Sequence, residues 1–363
     1  MTKTIKVMVV DDSALVRKVM TEVLSSDPDI TVIDQASDPI FAMQKMAKEM
    51  PDVMTLDIEM PRMDGITFLR KLMSENPLPV VICSSLTHEN TDTTVSALCA
   101  GAVDIITKPA IGVKSFIEES NIQIIDSIKA AAQACVKKRK PGHINTESRH
   151  SADVMLKKMS SNSHAISETT DKIIAIGAST GGTEALRQVL KAMPAITPGI
   201  LVVQHMPEKF TTAFAGHLNE ISAMEVREAV HGDRLHNGLV LLAPGGKHLL
   251  LKRNGAQYHV DVVDGPLVNR HRPSVDVLFR SAARFAGTNT SACLMTGMGD
   301  DGATGLKEIR DAGGRTFAQD EETSVVFGMP KEAWKRGAAE KLLALQDIAP
   351  MLLKTSKQAS RLN

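Results

Sequence analysis

The sequence predicts an α/β protein with two domains, each built on a doubly wound, mostly parallel sheet. At 363 residues the chain has the length of about two domains. In both halves short apolar runs alternate with amphipathic stretches, which indicates strands and helices in turn and therefore parallel sheets covered by helices. Periodicity fades over residues 137–170, where Ser, Asn, Thr and Lys dominate. We therefore expect domains over residues 1–136 and 171–363, joined by a flexible linker over 137–170.

Composition excludes several classes of protein. Hydrophobic residues make up 43% and charged residues 23%, which is typical of a globular chain rather than a disordered one. The 42 Lys and Arg residues balance the 42 Asp and Glu residues, so no basic excess favours nucleic-acid binding. The apolar run at the N-terminus is too short for a signal peptide or a membrane span.

The cysteines are scattered, with none of the spacings typical of a zinc site: Cys83, Cys99, Cys135 and Cys293. We expect them to be reduced thiols of a cytoplasmic protein.

In the first half, five apolar runs predict strands over residues 5–10, 30–36, 52–57, 79–85 and 102–107. Helical patterns separate them, and the first, residues 13–26, opens on Ser13 as an N-cap. The order of elements is that of a (βα)5 domain, in which ligands bind at the carboxyl ends of the strands.

Chemically active side chains follow four of these strands: Asp11 and Asp12, Asp57, Ser84 and Ser85, and Lys108. Three carboxylates at one edge repel one another unless a cation is present, and a hard ion such as Mg²⁺ suits them. An aspartate beside such an ion can attack a phosphoryl group and become an acyl phosphate. Lys108 and one of the two serines would then contact the phosphate.

The stretches "VVDDS", "LDIEMPRMDG", "SSLT" and "GAVDIITKP" resemble the receiver domain of two-component response regulators. This resemblance implies a flavodoxin-like fold with Asp57 as phosphoacceptor, and it implies Asp11, Asp12 and Asp57 as Mg²⁺ ligands. It assigns the hydroxyl of the phosphate switch to Ser84 and the paired cation to Lys108. Many receivers have Tyr or Phe where this chain has Ile105, so we expect the signal to leave through a packed face rather than through an aromatic rotamer.

The second half repeats the alternation of strands and helices. Strands are predicted within residues 172–178, 199–207 and 291–302, and a hairpin is predicted within 237–263. Helical spacing marks the stretches "ALRQVLKAM", "SVDVLFRSAARFA" and "GATGLKEIRDAG".

Residues 177–181, "GASTG", match G-x-S-x-G between a predicted strand and a predicted helix. A phosphate-binding loop would need lysine after Gly182, where Thr183 stands, and a dinucleotide-binding loop would need glycine at Ser179. The pattern instead favours a nucleophile elbow, in which Ser179 turns tightly into a helix whose amides face a developing oxyanion.

A serine nucleophile needs a base and an acid that orients the base. His205 directly follows the buried-type strand "ILVVQ", a setting that the other histidines of this half lack. The stretch "TGMGDDGATG" ends another strand and offers Asp300 or Asp301, between which the spacing does not choose.

The second half resembles the catalytic domain of the chemotaxis protein-glutamate methylesterase family. The resemblance rests on the stretches "IGASTGGTEAL", "VVQHMP", "APGGKHLLL", "RPSVDVLF", "MTGMGDDGATGL" and "SVVFGMP". It implies Ser179 as nucleophile, His205 as base, Asp301 as the orienting acid and the Met298 N–H as oxyanion donor. No cofactor is implied for the esterase step, since Mg²⁺ belongs to the receiver.

The resemblance also implies a phosphorylation-activated hydrolase that demethylates and deamidates receptor side chains. The expected partners are a chemotaxis histidine kinase as phosphodonor and methyl-accepting chemotaxis receptors as substrate. We expect a monomer that neither binds nucleic acid nor inserts into membranes.

Two other classes of protein fit the sequence less well. A transcriptional regulator would carry a basic helix-turn-helix, and residues 171–363 show no such pattern. A non-catalytic binding module would not need serine, histidine and aspartate at three strand ends.

Overall fold

The computed structural model describes residues 4–60, 64–85, 91–108, 114–134 and 171–357. The chain divides into two compact units, Met1–His143 and Ile144–Asn363. The predicted linker over 137–170 lies outside the described residues, so the proposed domain boundaries remain predictions.

The described part of the N-terminal unit has five strands in the order β2-β1-β3-β4-β5, and every neighbouring pair is parallel. The strands are β1 (Ile5–Val10), β2 (Ile30–Ala36), β3 (Val53–Leu56), β4 (Val80–Ser84) and β5 (Asp104–Thr107). The helices are α1 (Ala14–Ser25), α2 (Pro39–Met46), α3 (Gly65–Glu75), α4 (Thr91–Ala100) and α5 (Lys114–Ala132). This strand order is the flavodoxin-like one.

Local capping sets where the helices of this unit begin. The Ser13 hydroxyl accepts from Val16 N and begins α1, as the sequence predicts. Asp38 caps α2 through the N–H groups of its first turn, and Asp64 does the same for α3. Each side chain satisfies amides that have no partner within the helix, which fixes the loop before the helix.

The C-terminal unit has a seven-stranded sheet of order β15-β14-β13-β6-β7-β10-β8, in which all pairs are parallel, and a separate antiparallel sheet of order β11-β12-β9. Its strands are β6 (Ile173–Ala178), β7 (Gly199–Gln204), β8 (Glu225–Glu228), β9 (Arg234–Leu235), β10 (Leu239–Leu242), β11 (His248–Asn254), β12 (Gln257–Val263), β13 (Thr290–Leu294), β14 (Arg315–Gln319) and β15 (Lys341–Leu343). Its helices are α6 (Gly182–Lys191), α7 (Phe210–Ile221), α8 (Val275–Phe285), α9 (Ala303–Asp311), α10 (Met329–Lys335) and α11 (Leu345–Lys357).

The chain reverses direction across this sheet at β6. From β6 it proceeds first to β7 on one side and later to β13 on the other, so β6 lies at a topological switch point. In open α/β sheets this point, at the carboxyl ends of the strands, is where ligands bind. The residues that follow β6, β7 and β13 are therefore expected to form a ligand-binding site.

Burial explains why these strands read as continuous apolar runs. Every residue of β6, β7, β10 and β13 is buried, because helices cover both faces of the sheet. The sequence patterns do not predict β8, β9, β14 or β15 individually, and these strands have only two to five residues. The fold class predicted from the sequence is confirmed. None of the helices in the described ranges is both long and apolar enough to span a bilayer.

Candidate active site and candidate metal centre

Ser179 lies at the turn between β6 and α6. Its N–H donates to Thr296 O at 3.0 Å, which ties it to the segment after β13. Gly181 has a φ of 78°, and a Cβ there would lie 2.4 Å from Val325 Cβ. This tight, left-handed turn needs glycine, as a nucleophile elbow does. The predicted strand–turn–helix setting of the serine is present.

His205 lies beside this turn, at the end of the neighbouring strand β7. Ala178 pairs with Gln204 in the parallel register, and His205 N donates to Ala178 O at 3.1 Å. The buried Gln204 side chain donates from Nε2 to Ser179 O at 2.9 Å and to His205 O at 3.0 Å. One amide thus holds the backbone of both residues.

Asp301, which follows β13, contacts the imidazole of His205. The distance from His205 Nε2 to Asp301 Oδ2 is 2.8 Å, and both side chains are buried. Nδ1 of His205 is also buried and has no hydrogen-bond partner among the described residues. Since Nε2 faces a carboxylate, a neutral ring carries its proton there and leaves the lone pair on Nδ1.

The structure separates the two aspartates between which the sequence pattern did not choose. Asp300 is exposed and forms an ion pair with Arg336 at the surface, whereas Asp301 is 1% exposed. Only Asp301 contacts His205.

Asp301 accepts several hydrogen bonds besides the one from His205. Val275 N donates to it at 2.6 Å and Asp276 N at 3.2 Å, so Asp301 caps the N-terminus of α8, and the Ser274 hydroxyl donates at 2.7 Å. Burial alone would raise the pKa of Asp301, but the hydrogen bond from His205 and the charges of neighbouring groups hold that pKa well below its usual range. A helix N-terminus adds to this, and Asp301 therefore stays ionised.

Sequence reasoning missed the loop before α8, which supplies the other neighbours of this pair. The His271 ring stacks on the His205 ring with centroids 3.7 Å apart and an angle of 13° between the planes. Burial and then the charge of His205 lower the pKa of His271 to about 3, so it stays neutral. Asn269 donates to Asp301 Oδ1 at 2.8 Å. Nothing in the local sequence pattern marks either residue, because the contacts are made only by the fold.

Met298, the predicted oxyanion donor, directly follows Gly297, which lies close to Ser179. A Cβ on Gly297 would be 2.7 Å from Ser179 Cβ, so only glycine allows the two segments to meet. The Met298 N–H has no hydrogen-bond acceptor among the described residues. It is therefore an amide near Ser179 that is available to a ligand.

The predicted acidic site of the N-terminal unit also assembles at strand ends. Ligand oxygens of Asp11, Asp12 and Asp57 all lie within 4.8 Å of one another, with Asp11 and Asp57 buried. Lys108 Nζ lies 2.8 Å from Asp57 Oδ2 and 2.9 Å from Asp11 Oδ2. Burial and then the charge of Asp11 raise the pKa of Asp57 to about 6, against the hydrogen bond from Lys108. Burial acts to lower the pKa of Lys108, but its hydrogen bonds to Asp57 and Asp11 raise it.

Ser84 and Ser85 differ in their surroundings. Ser84 is buried, and its hydroxyl lies 2.9 Å from that of Thr94. Ser85 is more exposed, and its hydroxyl donates to Glu59 Oε2 at 3.4 Å. Ile105 is buried within β5.

The donor set of the acidic site fits Mg²⁺. Three carboxylates offer hard oxygen ligands, and the exposed Asp12 leaves the site open to water and to a phosphate. The nearby ammonium of Lys108 offsets part of the negative charge.

Comparison with known proteins identifies both units. The model of the CheB methylesterase family matches residues 174–352, and that of the response regulator receiver domain matches residues 7–121. A protein-glutamate methylesterase/protein-glutamine glutaminase of Pseudomonas syringae is 58% identical over 97% of this chain and 99% of its own length. The chain belongs to the protein-glutamate methylesterase/protein-glutamine glutaminase family. A relative of the same name from Geobacter metallireducens is 56% identical over 97% of this chain and 99% of its own.

A solved structure supports the fold of the methylesterase unit. The catalytic domain of Thermotoga maritima CheB methylesterase is 38% identical, covers 50% of this chain and 97% of that domain, and superposes with a TM-score of 0.50. The family predicted from the sequence, its two-domain composition and its class of enzyme are confirmed: this chain is a methylesterase and glutaminase with a receiver domain.

Proposed function

We propose that this methylesterase demethylates glutamyl methyl esters and deamidates glutamines of bacterial methyl-accepting chemotaxis receptors, under the control of phosphorylation at Asp57. The observation that carries the proposal is the 2.8 Å contact between His205 Nε2 and Asp301 Oδ2 beside the Ser179 turn. It supports a serine hydrolase in which the three residues act as nucleophile, base and orienting acid.

The reaction begins when Ser179 Oγ attacks the δ-carbonyl carbon of the receptor side chain. His205 takes the serine proton on Nδ1, the ring atom that has no other partner. Asp301 holds Nε2–H and stabilises the imidazolium that forms. The carbonyl oxygen becomes an oxyanion, which the Met298 N–H stabilises.

Collapse of this tetrahedral intermediate expels the leaving group. His205 returns its proton to the departing oxygen or nitrogen, so that methanol leaves from an ester and ammonia from an amide. Water, deprotonated by His205, then attacks the acyl-enzyme and releases the receptor glutamate and free Ser179. These steps use only groups of this chain and water.

Phosphorylation of the receiver domain involves the acidic site. A carboxylate oxygen of Asp57 attacks the phosphorus of the phosphohistidine of a chemotaxis histidine kinase, the P–N bond breaks, and the kinase imidazole leaves. Asp11, Asp12 and Asp57 would hold Mg²⁺. The ion, when bound, neutralises charge on the transferring phosphoryl group. Lys108 pairs with the phosphate on Asp57, and the Ser84 hydroxyl exchanges its contact with Thr94 for a phosphate oxygen.

The remaining parts of the proposal concern location and partners. The substrate is the cytoplasmic helical region of the receptors, so the enzyme works in the cytoplasm. It acts as a monomer that neither inserts into the membrane nor binds nucleic acid. The equal numbers of acidic and basic residues give no basic excess that would favour binding to nucleic acid.

The test uses receptor membranes carrying labelled methyl esters. The full chain releases labelled methanol, and Ser179→Ala releases less than a thousandth as much under the same conditions, since removing a triad member costs several orders of magnitude in rate. A fluorophosphonate probe labels the wild type and not the variant. Methanol release by Ser179→Ala at more than a tenth of the wild-type rate would contradict the proposal.

A further inference from the structure

A surface asparagine connects the hydrolase site to a second buried carboxylate. Asn269 lies in the loop before α8 and is exposed to solvent. Its Nδ2 nevertheless donates twice inward, to Asp301 Oδ1 at 2.8 Å and to Asp276 Oδ2 at 2.7 Å. Each of the two N–H groups of the amide is therefore used by a different carboxylate.

The second carboxylate makes the position of Asp301 hard to maintain without this amide. Asp276 is 8% exposed, and its other oxygen accepts from Gly305 N at 2.6 Å. Burial and then the charge of Asp301 raise the pKa of Asp276 to about 6, so above that pH two negative charges lie on either side of one amide. Like charges in a buried site repel, and donors between them reduce that repulsion.

The backbone at this point suits asparagine. Asn269 has a φ of 50° and Arg270 a φ of 67°, so two successive residues lie in the left-handed region. Asparagine tolerates that region better than most residues. Aspartate has the same size but brings a third negative charge and no donor. Glycine fits the backbone and removes the amide, which makes it a clean substitution.

We propose that Asn269 is a positioning residue of the methylesterase, which sets the orientation of Asp301, and through it the His205 ring, by donating to Asp301 and Asp276 together. The proposal rests on the function proposed above, in which Asp301 orients His205. Asn269 is exposed, so its loss disturbs the two carboxylates more than the core.

Several charged or titratable groups face this cluster. His205 and His271 lie near Asp301, and Arg280 lies near Asp276. His248 also faces Asp301 from β11, with Arg272 beside it.

Arg270, next to Asn269, lies near His271, and its positive charge disfavours protonation of that ring. These neighbours are unchanged when Asn269 is replaced. Loss of two donors disfavours the charged carboxylates, so their pKa rises. Asp301 stays ionised, but Asp276, whose pKa is about 6 with the amide in place, then keeps its proton to a higher pH. A protonated Asp276 changes the hydrogen bonds around Asp301, and the pH below which activity falls therefore moves upward.

The experiment compares Asn269→Gly and Asn269→Asp with Asn237→Gly, an exposed asparagine between β9 and β10, in the full chain. Methanol release is measured against substrate concentration from pH 5 to 9, and thermal melting checks folding. We expect kcat of Asn269→Gly to fall by about 10- to 100-fold at pH 7 with KM within about twofold. The pH below which its kcat falls shifts upward. The kcat of Asn269→Asp falls further than that of Asn269→Gly at pH 7, and the kcat of Asn237→Gly matches that of the wild type.

Two results would overturn the inference. One is a kcat of Asn269→Gly within twofold of the wild type, and the other is an equal fractional loss at every pH, which a purely structural role predicts. Ser179→Ala in the same assay separates the two proposals. If Ser179→Ala is active, the serine mechanism itself fails; if it is inactive while Asn269→Gly is normal, only the inference about Asn269 fails.

Discussion

His205 Nε2 lies 2.8 Å from Asp301 Oδ2, although the two residues are 96 positions apart in the chain. Parallel strands with a switch point at β6 explain the contact, because the ends of β7 and β13 flank the end of β6. The contact occupies Nε2, and Nδ1 of the ring is the nitrogen without a hydrogen-bond partner among the described residues.

This relationship predicts different outcomes for the two neighbouring aspartates. Asp301→Asn removes the charge that stabilises the imidazolium, and we expect kcat to fall by about 10³- to 10⁴-fold. Asp300→Asn, which loses only a surface ion pair with Arg336, keeps kcat within about twofold. Methanol release from methyl-labelled receptors measures both. Equal impairment of the two variants would refute the assignment of Asp301.

The Asp301→Asn variant also tests the capping role of this carboxylate. Asp301 accepts from Val275 N and Asp276 N at the first turn of α8. Loss of the negative charge there is expected to reduce the free energy of unfolding by about 1 kcal/mol. Denaturant titration of the full chain checks this, with Asp300→Asn as the control. An unchanged unfolding midpoint for Asp301→Asn would mean that the cap contributes nothing.

The sequence was sufficient to find groups in the segments that follow strands. Ser179, His205 and the pair Asp300 and Asp301 each come after an apolar run, and a parallel sheet brings such positions to one edge. The same rule located Asp57 and Lys108. Assigning the acid to Asp301 needed either a resemblance or the structure, since adjacent aspartates share the same local pattern.

The rest of the site could not be predicted because its contacts depend on loop conformation. Asn269 reaches two carboxylates from a loop in which it and Arg270 both adopt positive φ. His271 reaches the face of His205 from the same loop. A periodic pattern predicts strands and helices, but it carries no information about how a loop of irregular backbone turns inward.

The serine and the histidine are expected to act as a unit. Ser179→Ala and His205→Ala each remove nearly all activity, and the double variant is no worse than either single one, because the remaining rate comes from binding and the oxyanion site. Kinetics of methanol release with all three variants checks this. Additive losses, with the double variant far below both singles, would mean that the two residues act independently.

Mg²⁺ binding to the receiver is expected to weaken as the pH falls. Burial raises the pKa of Asp57 to about 6, so protons compete with the ion near that pH, whereas above it the carboxylate is ionised and binds. Isothermal titration of the full chain should give a weaker affinity at pH 5.5 than at pH 8. Asp57→Asn should bind weakly at both, with a flatter pH dependence. Identical wild-type affinity at the two pH values would show that Asp57 is not a ligand.

Phosphorylation at Asp57 is expected to control the reaction at Ser179. The modification adds about −1.5 to −2 charges at the edge of the receiver sheet. A bias of only about 1.4 kcal/mol between a less and a more active arrangement raises a minor active fraction about tenfold.

Residues 171–363 alone should hydrolyse receptor methyl esters faster than the unphosphorylated full chain at equal concentration. A saturating small phosphodonor with Mg²⁺ should activate the full chain and leave Asp57→Asn unchanged. If the fragment is no faster while phosphorylation still activates, the receiver stimulates catalysis or recruits substrate instead of inhibiting. If the phosphodonor also activates Asp57→Asn, the signal does not pass through Asp57.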